Sequence, residues 1–364
     1  MHDSRPSPVG KRDAGVIISR APVRINDLGG WTDTWFSGTG KVLSTAVSPG
    51  AACHLSFAAC RPPRGKRFTL DVRNFDCRYS FDPDNPPLDR HPLLEATAAS
   101  MDVPPDIAVE ASVSSELPPG CGTGTSASVV VALIGALDRL TPGTTEADAV
   151  WRAAHRVETD MLGWESGVQD QVTAVYGGIC FIDVHRYPEA RICRLVPGKE
   201  IAGELERRLV LVFLGEGHQS SEVHRDVIAR ISGEGEDCPA LAELREIPPM
   251  AREALEEGDL TRFGALMSRN NECQRSLDNE LISPEADRVI ALARGLGAPG
   301  WKVNGAGGRG GSLTLLAGDG PGARDELVRE LRRLGGGIRD IPVKLNHEGL
   351  AVRGEGLWNP REGG

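Results

Sequence analysis

The stretch Pro118-Pro119-Gly120-Cys121-Gly122-Thr123-Gly124-Thr125-Ser126-Ala127-Ser128 decides how this chain is read. Its glycines alternate, so the backbone can take positive φ and come close to a ligand. The small-residue, apolar segment Ser126 to Leu140 follows at once and reads as a buried helix, ending before Thr141-Pro142-Gly143. The first turn of such a helix offers unpaired N–H groups and the positive end of the helix dipole, together a site for an anion. Thr125, Ser126 and Ser128 add hydroxyls that can cap the helix, bind phosphate or sit on a metal. A lone Gly-x-Gly would read as a turn with a serine cap. The density of glycines and hydroxyls favours a phosphate loop.

Upstream of this loop the pattern is that of strands. Val16 to Ser19 and Arg24-Ile25 read as an opening strand interrupted by Ala21-Pro22. Val42 to Val47, Ala52 to Ala58, Phe68 to Val72 and Ile107 to Val113 follow. Downstream, Glu146 to Leu162 carries the apolar stripe of an amphipathic helix, and Gln169 to Tyr176 a short helix closed by Gly177-Gly178. Ile179 to Val184 and Leu209 to Leu214 return as strands. Helical periodicity then fills most of Ser221 to Gly295, with breaks expected at 233–239, at Pro248-Pro249 and at Pro284. Trp301 to Val303 and Leu313 to Leu316 read as strands around a glycine-rich turn, Arg324 to Leu334 as a helix, and Ile341 to Leu345 as a last strand. This order predicts an α+β protein of two lobes with a cleft between them. The expected divisions are a loose tail over 1–15, an N-terminal domain over 16–195 and a C-terminal domain over 196–364.

Composition narrows the function. The 364 residues include 51 acidic and 41 basic side chains, for a formal net charge of −10, which argues against nucleic acid as a partner. The longest apolar run, Val129 to Leu137, is far short of the roughly 18 residues that span a bilayer, so no membrane partner is expected. The eight cysteines are scattered without a C-x-x-C pair, and the first fifteen residues lack an apolar signal segment. A cytoplasmic protein with reduced thiols is the expectation. The eight histidines show no zinc spacing.

Two further glycine-rich stretches invite nucleotide readings. Gly38-Thr39-Gly40-Lys41 fails as a Walker loop, because Val42 stands where Ser or Thr is required. Gly305, Gly307 and Gly310 satisfy Gly-x-Gly-x-x-Gly, but a strand follows them instead of a helix. A turn approaching a ligand or the other lobe fits them better. Glu158 and Asp170 flank the glycine-bearing loop Glu165-Ser166-Gly167, which can fold two carboxylates toward one point. Phosphoryl transfer uses one carboxylate on Mg²⁺ and another facing the acceptor. By spacing alone, a helix cap and a solvated charge would be the preferred reading.

Taken in order, these motifs resemble one family. An Ala-Pro-x-Arg strand, a Gly-Gly-Trp-Thr-Asp turn, a Pro-x-Gly-x-Gly-x-Gly-x-Ser loop, a Gly-x-Gln-Asp-Gln segment and a late Gly-Ala-Gly-Gly segment are similar to the GHMP kinases, from about Ser19 to Leu316. Arg24 to Val47 looks most like the sugar kinases that act on fucose or heptose 7-phosphate. The resemblance implies a strand-rich N-terminal lobe, a ferredoxin-like, helix-rich C-terminal lobe and an active site in the cleft. It implies ATP and Mg²⁺, with phosphoryl transfer to a sugar hydroxyl, best guessed as anomeric, on a hexose, deoxyhexose or heptose phosphate. Pro119, Gly120, Cys121, Gly122, Thr123, Gly124, Thr125 and Ser126 would wrap the ATP phosphates, and Ser126 with Glu158 would hold Mg²⁺. Asp170 would face the acceptor hydroxyl, as base or as orienting group, and Arg24 would pair with it. Trp31, Thr32 and Asp33 would bind the sugar, and Gly305 and Gly307 would line the cleft. Two other readings stay open: a non-catalytic sensor of the same fold, and a non-sugar alcohol as acceptor. A homodimer is also left open.

Several residues depart from the family pattern. Val23 replaces the usual glycine, Thr123 and Thr125 replace Leu and Ser, and Arg309 interrupts the late glycine run. Trp35-Phe36 follows the sugar turn, either lining the sugar or packing beneath the loop.

Overall fold

Residues 14–60, 65–140, 146–217, 227–229, 231 and 238–355 are described in this computed structural model. Most of the expected N-terminal tail lies outside them, and Ala14-Gly15 already belong to strand β1 (Ala14–Leu28). The interruption expected at Ala21-Pro22 is a register shift within that one strand, between Ala21 and Val23. Pro22 has no N–H for the ladder, so pairing slips there while the chain stays extended. Residues 42–47 and 52–58 likewise join as one strand of 20 residues, β2 (Gly40–Ala59). Beyond β1, its first part pairs with β6 (Ile179–Arg186) and its second with β5 (Ile107–Ser115). Next to β5 lie β3 (Phe68–Val72), parallel to it, and β4 (Cys77–Phe81), which helix α1 (Pro92–Ala99) follows in the chain; β7 (Glu189–Leu195) pairs with β6.

Helix α2 (Thr125–Leu137) covers this sheet, and every residue from Val130 to Leu137 is buried. A helix apolar all round belongs in a core. Each buried Leu, Ile or Val there contributes about 1.5–3 kcal/mol. At Gly135 an added Cβ would stand 2.9 Å from a Leu350 methyl, so glycine sets how closely the helix approaches the strands.

In the second lobe, β8 (Leu209–Leu214), β9 (Gly300–Val303), β10 (Ser312–Leu316) and β11 (Ile338–Ile341) form an antiparallel sheet in the order β11-β8-β10-β9. That order, with helices between β8 and β9 and between β10 and β11, is the ferredoxin-like arrangement expected. Among the described residues, the long helices between β8 and β9 are Pro239–Glu257, Leu260–Leu277 and Pro284–Gly295.

Three expectations are corrected. Pro248-Pro249 do not break a helix: Pro239–Glu257 runs through them, with Leu244, Ile247, Pro248 and Ala251 buried. Packing outweighs the lost hydrogen bonds, and Pro248 Cγ presses against Gly29, where an added Cβ would meet it at 2.5 Å. The helix expected over 146–162 is α3 (Ala147–Arg156), followed by a wide π turn at Val157–Met161. The single last strand is split into β11, β12 (Lys344–Leu345) and β13 (Ala351–Glu355). β12 pairs with β2 and β13 with β1, so the last described residues return to the first sheet. Helical periodicity over 221–233 falls mostly outside the described residues. No disulfide joins the described cysteines, and no described helix is long and apolar enough to cross a membrane.

Candidate active site

The phosphate loop has the backbone that its glycines allow. Gly120, Gly122 and Gly124 take φ of 69°, 71° and 67°, left-handed values that alternate with ordinary ones. Such alternation turns successive N–H groups toward one concavity, an anion nest. Gly124 is also the N-cap of α2 and supplies no side chain to the first turn, whose N–H groups stay available. Ser126 is exposed and Thr125 half-buried at this mouth. Cys121 and Thr123 are 1% exposed, so among the expected ATP-binding residues these two offer backbone and not side chain. Burial also pushes the Cys121 thiol pKa up. Ser128 is already engaged: its Oγ donates to the carbonyls of Ala21 and Pro22, fixing α2 to β1.

Arg24 binds three pieces together. Its Nε donates to Asp170 Oδ1 at 2.7 Å, its Nη1 to the Gly122 carbonyl at 2.5 Å, and its backbone N–H to Thr123 O at 3.0 Å. Asp170 lies in the first turn of α4 (Gln169–Tyr176), the helix expected from its sequence. Its carboxylate stands directly against the loop, since a Cβ on Gly124 would be 2.9 Å from both Cγ and Oδ2. Burial works against the Arg24 charge, but Asp170, Asp27 and Asp33 outweigh it and raise the guanidinium pKa.

Glu158 occupies the π turn after α3 and is 6% exposed. Its Oε2 accepts from Ser166 Oγ at 2.6 Å and Gln171 Nε2 at 2.9 Å. Burial is the main cause that pushes its pKa up to about 7; Asp170 adds to the rise and the two hydrogen bonds oppose it. Ser126 and Glu158, expected to share a metal, do not hydrogen-bond to each other directly.

The Gly29–Asp33 turn is more enclosed than a substrate-binding role predicts. Thr32 is fully buried, and its Oγ1 donates to Gly29 O at 2.7 Å and accepts from Lys41 N at 3.1 Å. Trp31 and Phe36 pack in the core. Thr32 therefore holds the turn together, and Trp31 packs beneath it. Asp33 is also buried; its Oδ2 accepts from Gln169 N at 2.9 Å, next in sequence to Asp170. Burial raises its pKa to about 6, and Asp170 adds to that while Gln169 and Arg24 oppose it. Of the two aromatics after the turn, Phe36 packs beneath the loop. Trp35 is 48% exposed, its indole N–H on Glu165.

Of the two late glycines, Gly305 lies against the first lobe, while Gly307 packs against Leu281 and Gln274 of the second. A Cβ on Gly305 would lie 2.8 Å from the Gly122 carbonyl and 3.3 Å from Arg24 Nη2. Behind them runs a buried polar seam that the sequence reading missed. Asp27 Oδ1 accepts from Lys302 Nζ at 3.3 Å and from Gly305 N at 3.2 Å, and Lys302 Nζ also donates to Gln274 Oε1 at 3.1 Å. Both charged side chains are 1% exposed. Burial lowers the Lys302 pKa, against the pull of Asp27. The available signal was Lys302 inside the short, otherwise apolar strand Gly300–Val303.

Residues 93–178 match the GHMP kinases N terminal domain, and residues 251–337 match the GHMP kinases C terminal domain. The chain is also 34% identical over 240 residues to a mevalonate kinase of Methanothermobacter thermautotrophicus, covering 63% of this chain and 69% of that one. The chain belongs to the GHMP kinases. It is a phosphotransferase acting on a hydroxyl group. This GHMP kinase is also 25% identical over 227 residues to the D-glycero-alpha-D-manno-heptose 7-phosphate kinase of Campylobacter jejuni, covering 62% of this chain and 66% of that one. Its fold matches the crystal structure of a D-glycero-D-manno-heptose 1-phosphate kinase from Bacteroides thetaiotaomicron, with a TM-score of 0.72 at 20% identity over 93% of this chain and 98% of the other.

The residues of this GHMP kinase fit the groups its family implies. Three left-handed glycines before an uncapped helix suit a polyphosphate. The buried Glu158 carboxyl, with a pKa near neutrality, would gain from a cation beside it. The described residues contain no cluster of three or more His, Cys, Asp or Glu able to hold a metal alone. A single carboxylate, a serine hydroxyl and substrate phosphates are a donor set typical of Mg²⁺.

Proposed function

We propose that this GHMP kinase transfers the γ-phosphoryl group of ATP to a sugar hydroxyl, the anomeric one being the first choice, with Mg²⁺ as cofactor. The observation that carries the reading is the contact of Asp170 with Gly124, which sets a carboxylate against the phosphate cradle. The 120–126 backbone and the α2 N-terminus would hold the phosphates, and Ser126 and Glu158 would hold Mg²⁺. Bound there, Mg²⁺ supplies neutralising charge to the phosphates. Asp170 receives the acceptor hydroxyl, and Arg24 fixes the position of that carboxylate through its 2.7 Å bond. The transferring group passes through a loose, highly charged state, so position and electrostatics supply most of the rate.

The sugar assignment draws on the heptose phosphate kinase relative and on Asp33, which holds α4 from the Gly29–Asp33 turn. A second reading, a mevalonate-like alcohol, draws on the 34% identity to a mevalonate kinase. An ATP-consumption screen over hexoses, 6-deoxyhexoses, heptoses, heptose phosphates and mevalonate separates them, with nuclear magnetic resonance locating the new phosphate. Turnover with at least one sugar is expected. Turnover with mevalonate alone would replace the sugar reading.

A further inference from the structure

On the outer side of the first sheet lies a cavity of about 900 Å³ that the kinase site does not use. It opens where the β1–β2 ladder changes register, around Pro22 and Ser48 to Gly50. None of its lining residues belongs to the phosphate loop, the Arg24–Asp170 pair or the Gly29–Asp33 turn. Both ends of the chain's path contribute to it. Arg20 comes from β1, Arg353 from β13, Lys344 from β12, and Arg324 from the first turn of the helix Ala323–Arg333.

Charge sets this cavity apart. Arg20, Arg324, Lys344 and Arg353 face two carboxylates, Glu116 and Glu348, leaving an excess of two positive charges in a chain of net charge −10. The side chains of Arg20, Lys344 and Arg353 make no ion pair or hydrogen bond among the described residues. Arg324 is half-buried, with its Nε on the Leu209 carbonyl at 3.4 Å. Pro22, Pro49 and Val343 give the same cavity an apolar wall. Cations converging on a concave surface focus potential and form strong hydrogen bonds to phosphate oxygens. The volume falls in the range of small-molecule sites, about 300–1,000 Å³.

We propose that this rear cavity binds a small phosphorylated molecule, its phosphate held by Arg20, Lys344 and Arg353 and its carbon body against the proline-lined wall. Such a ligand would bridge β1 and β2 to the returning chain. It would also sit close in sequence to both catalytic elements, since Arg24 follows Pro22 by two residues and Glu116 precedes Pro118 by two. The site therefore has the position of a regulatory one, and its existence does not depend on which alcohol is phosphorylated.

Inorganic pyrophosphate is the probe, titrated calorimetrically into the full chain saturated with the non-hydrolysable ATP analogue AMP-PNP and Mg²⁺. One equivalent is expected to bind. The double variant Arg20→Gln/Arg353→Gln should weaken it at least about tenfold, and Glu348→Gln should tighten it about threefold, as expected for losing or removing charge beside a phosphate. All three side chains are exposed, so the fold should tolerate these changes. Absence of pyrophosphate binding beside the analogue, or equal affinity in all these variants, would overturn the proposal. Failure of AMP-PNP itself to bind would count against the kinase reading, while the opposite responses of the charge variants would still report on the rear cavity.

Discussion

Replacing Gly124 by alanine isolates the contact on which the catalytic reading rests, provided it is compared with Gly297→Ala. Both glycines have positive φ, 67° and 74°. At Gly297 an added Cβ meets nothing within 4 Å, so only the left-handed backbone is charged to the variant, about 1–2 kcal/mol. At Gly124 the same methyl would stand 2.9 Å from Cγ and Oδ2 of Asp170, so the carboxylate must swing away. That breaks its 2.7 Å bond to Arg24, a guanidinium 6% exposed. Stranding a buried charge costs about 3–5 kcal/mol. Arg24 keeps Asp27 at 3.8 Å, and Asp170 is 28% exposed, so about 1–3 kcal/mol is the appropriate figure here. Urea unfolding should therefore show a loss of about 1–2 kcal/mol for Gly297→Ala and about 2–5 kcal/mol for Gly124→Ala. Initial-rate ATP turnover should be unchanged in the first and fall about 10²-fold in the second, the scale for an ångström of misplacement. Equal kcat in the two variants would refute the claim that Asp170 works from its seat against the loop.

Other perturbations test the neighbouring parts. Asp170→Asn should lower kcat by about 10²–10⁴-fold while leaving nucleotide affinity nearly unchanged, and wild-type turnover would remove Asp170 from the mechanism. Glu158 must lose its proton to hold a cation, and its pKa is raised to about 7. The apparent Mg²⁺ affinity in turnover assays should thus fall about tenfold per pH unit below 7, a dependence that Glu158→Gln abolishes. Because burial raises this pKa from 4.5, the contribution of Glu158 to stability is full below about pH 4.5 and lost as pH rises through 7, roughly 3 kcal/mol in all. Glu158→Gln should accordingly be more stable relative to wild type at pH 8 than at pH 5; a difference independent of pH would contradict the burial argument. Lys302→Met should destabilise by about 1–3 kcal/mol by removing the nearer cation of Asp27, which keeps Arg24 at 3.8 Å, and adding Asp27→Asn should restore part of it. Strict additivity in that cycle would show that the two charges do not couple.

What the sequence shows of this fold depends on how local the cause is. Gln169–Tyr176 and Leu209–Leu214 are bounded as read, because a glycine pair closes the first and the second is an uninterrupted apolar run. The helix Lys199–Arg208 escaped notice because it buries only Leu205 and Arg208, too thin a stripe to register. Strand Glu189–Leu195 is mostly exposed and escaped for the same reason. Pro248-Pro249 read as a stop because their tertiary seat against Gly29 leaves no local trace. In the site, the phosphate loop is legible by itself, since left-handed glycines and a helix start are local features. Arg24 and Asp170 lie 146 positions apart and came together only through the family resemblance. The pair Asp27–Lys302, 275 positions apart, had no such guide. The hydroxyl of Thr32 donates to the carbonyl of Gly29, a contact that its motif alone does not announce.

The return of Ala351–Glu355 to lie beside Val16–Arg20 has a consequence for biosynthesis. The strand Val16–Arg20 is synthesised long before Ala351–Glu355, so its outer margin waits through all the intervening synthesis before it finds its neighbour. Until then a row of backbone donors and acceptors stands uncovered, available to other nascent chains. The margin is sealed only once residues 351–355 have emerged, and a chain stopped near residue 340 would keep it open.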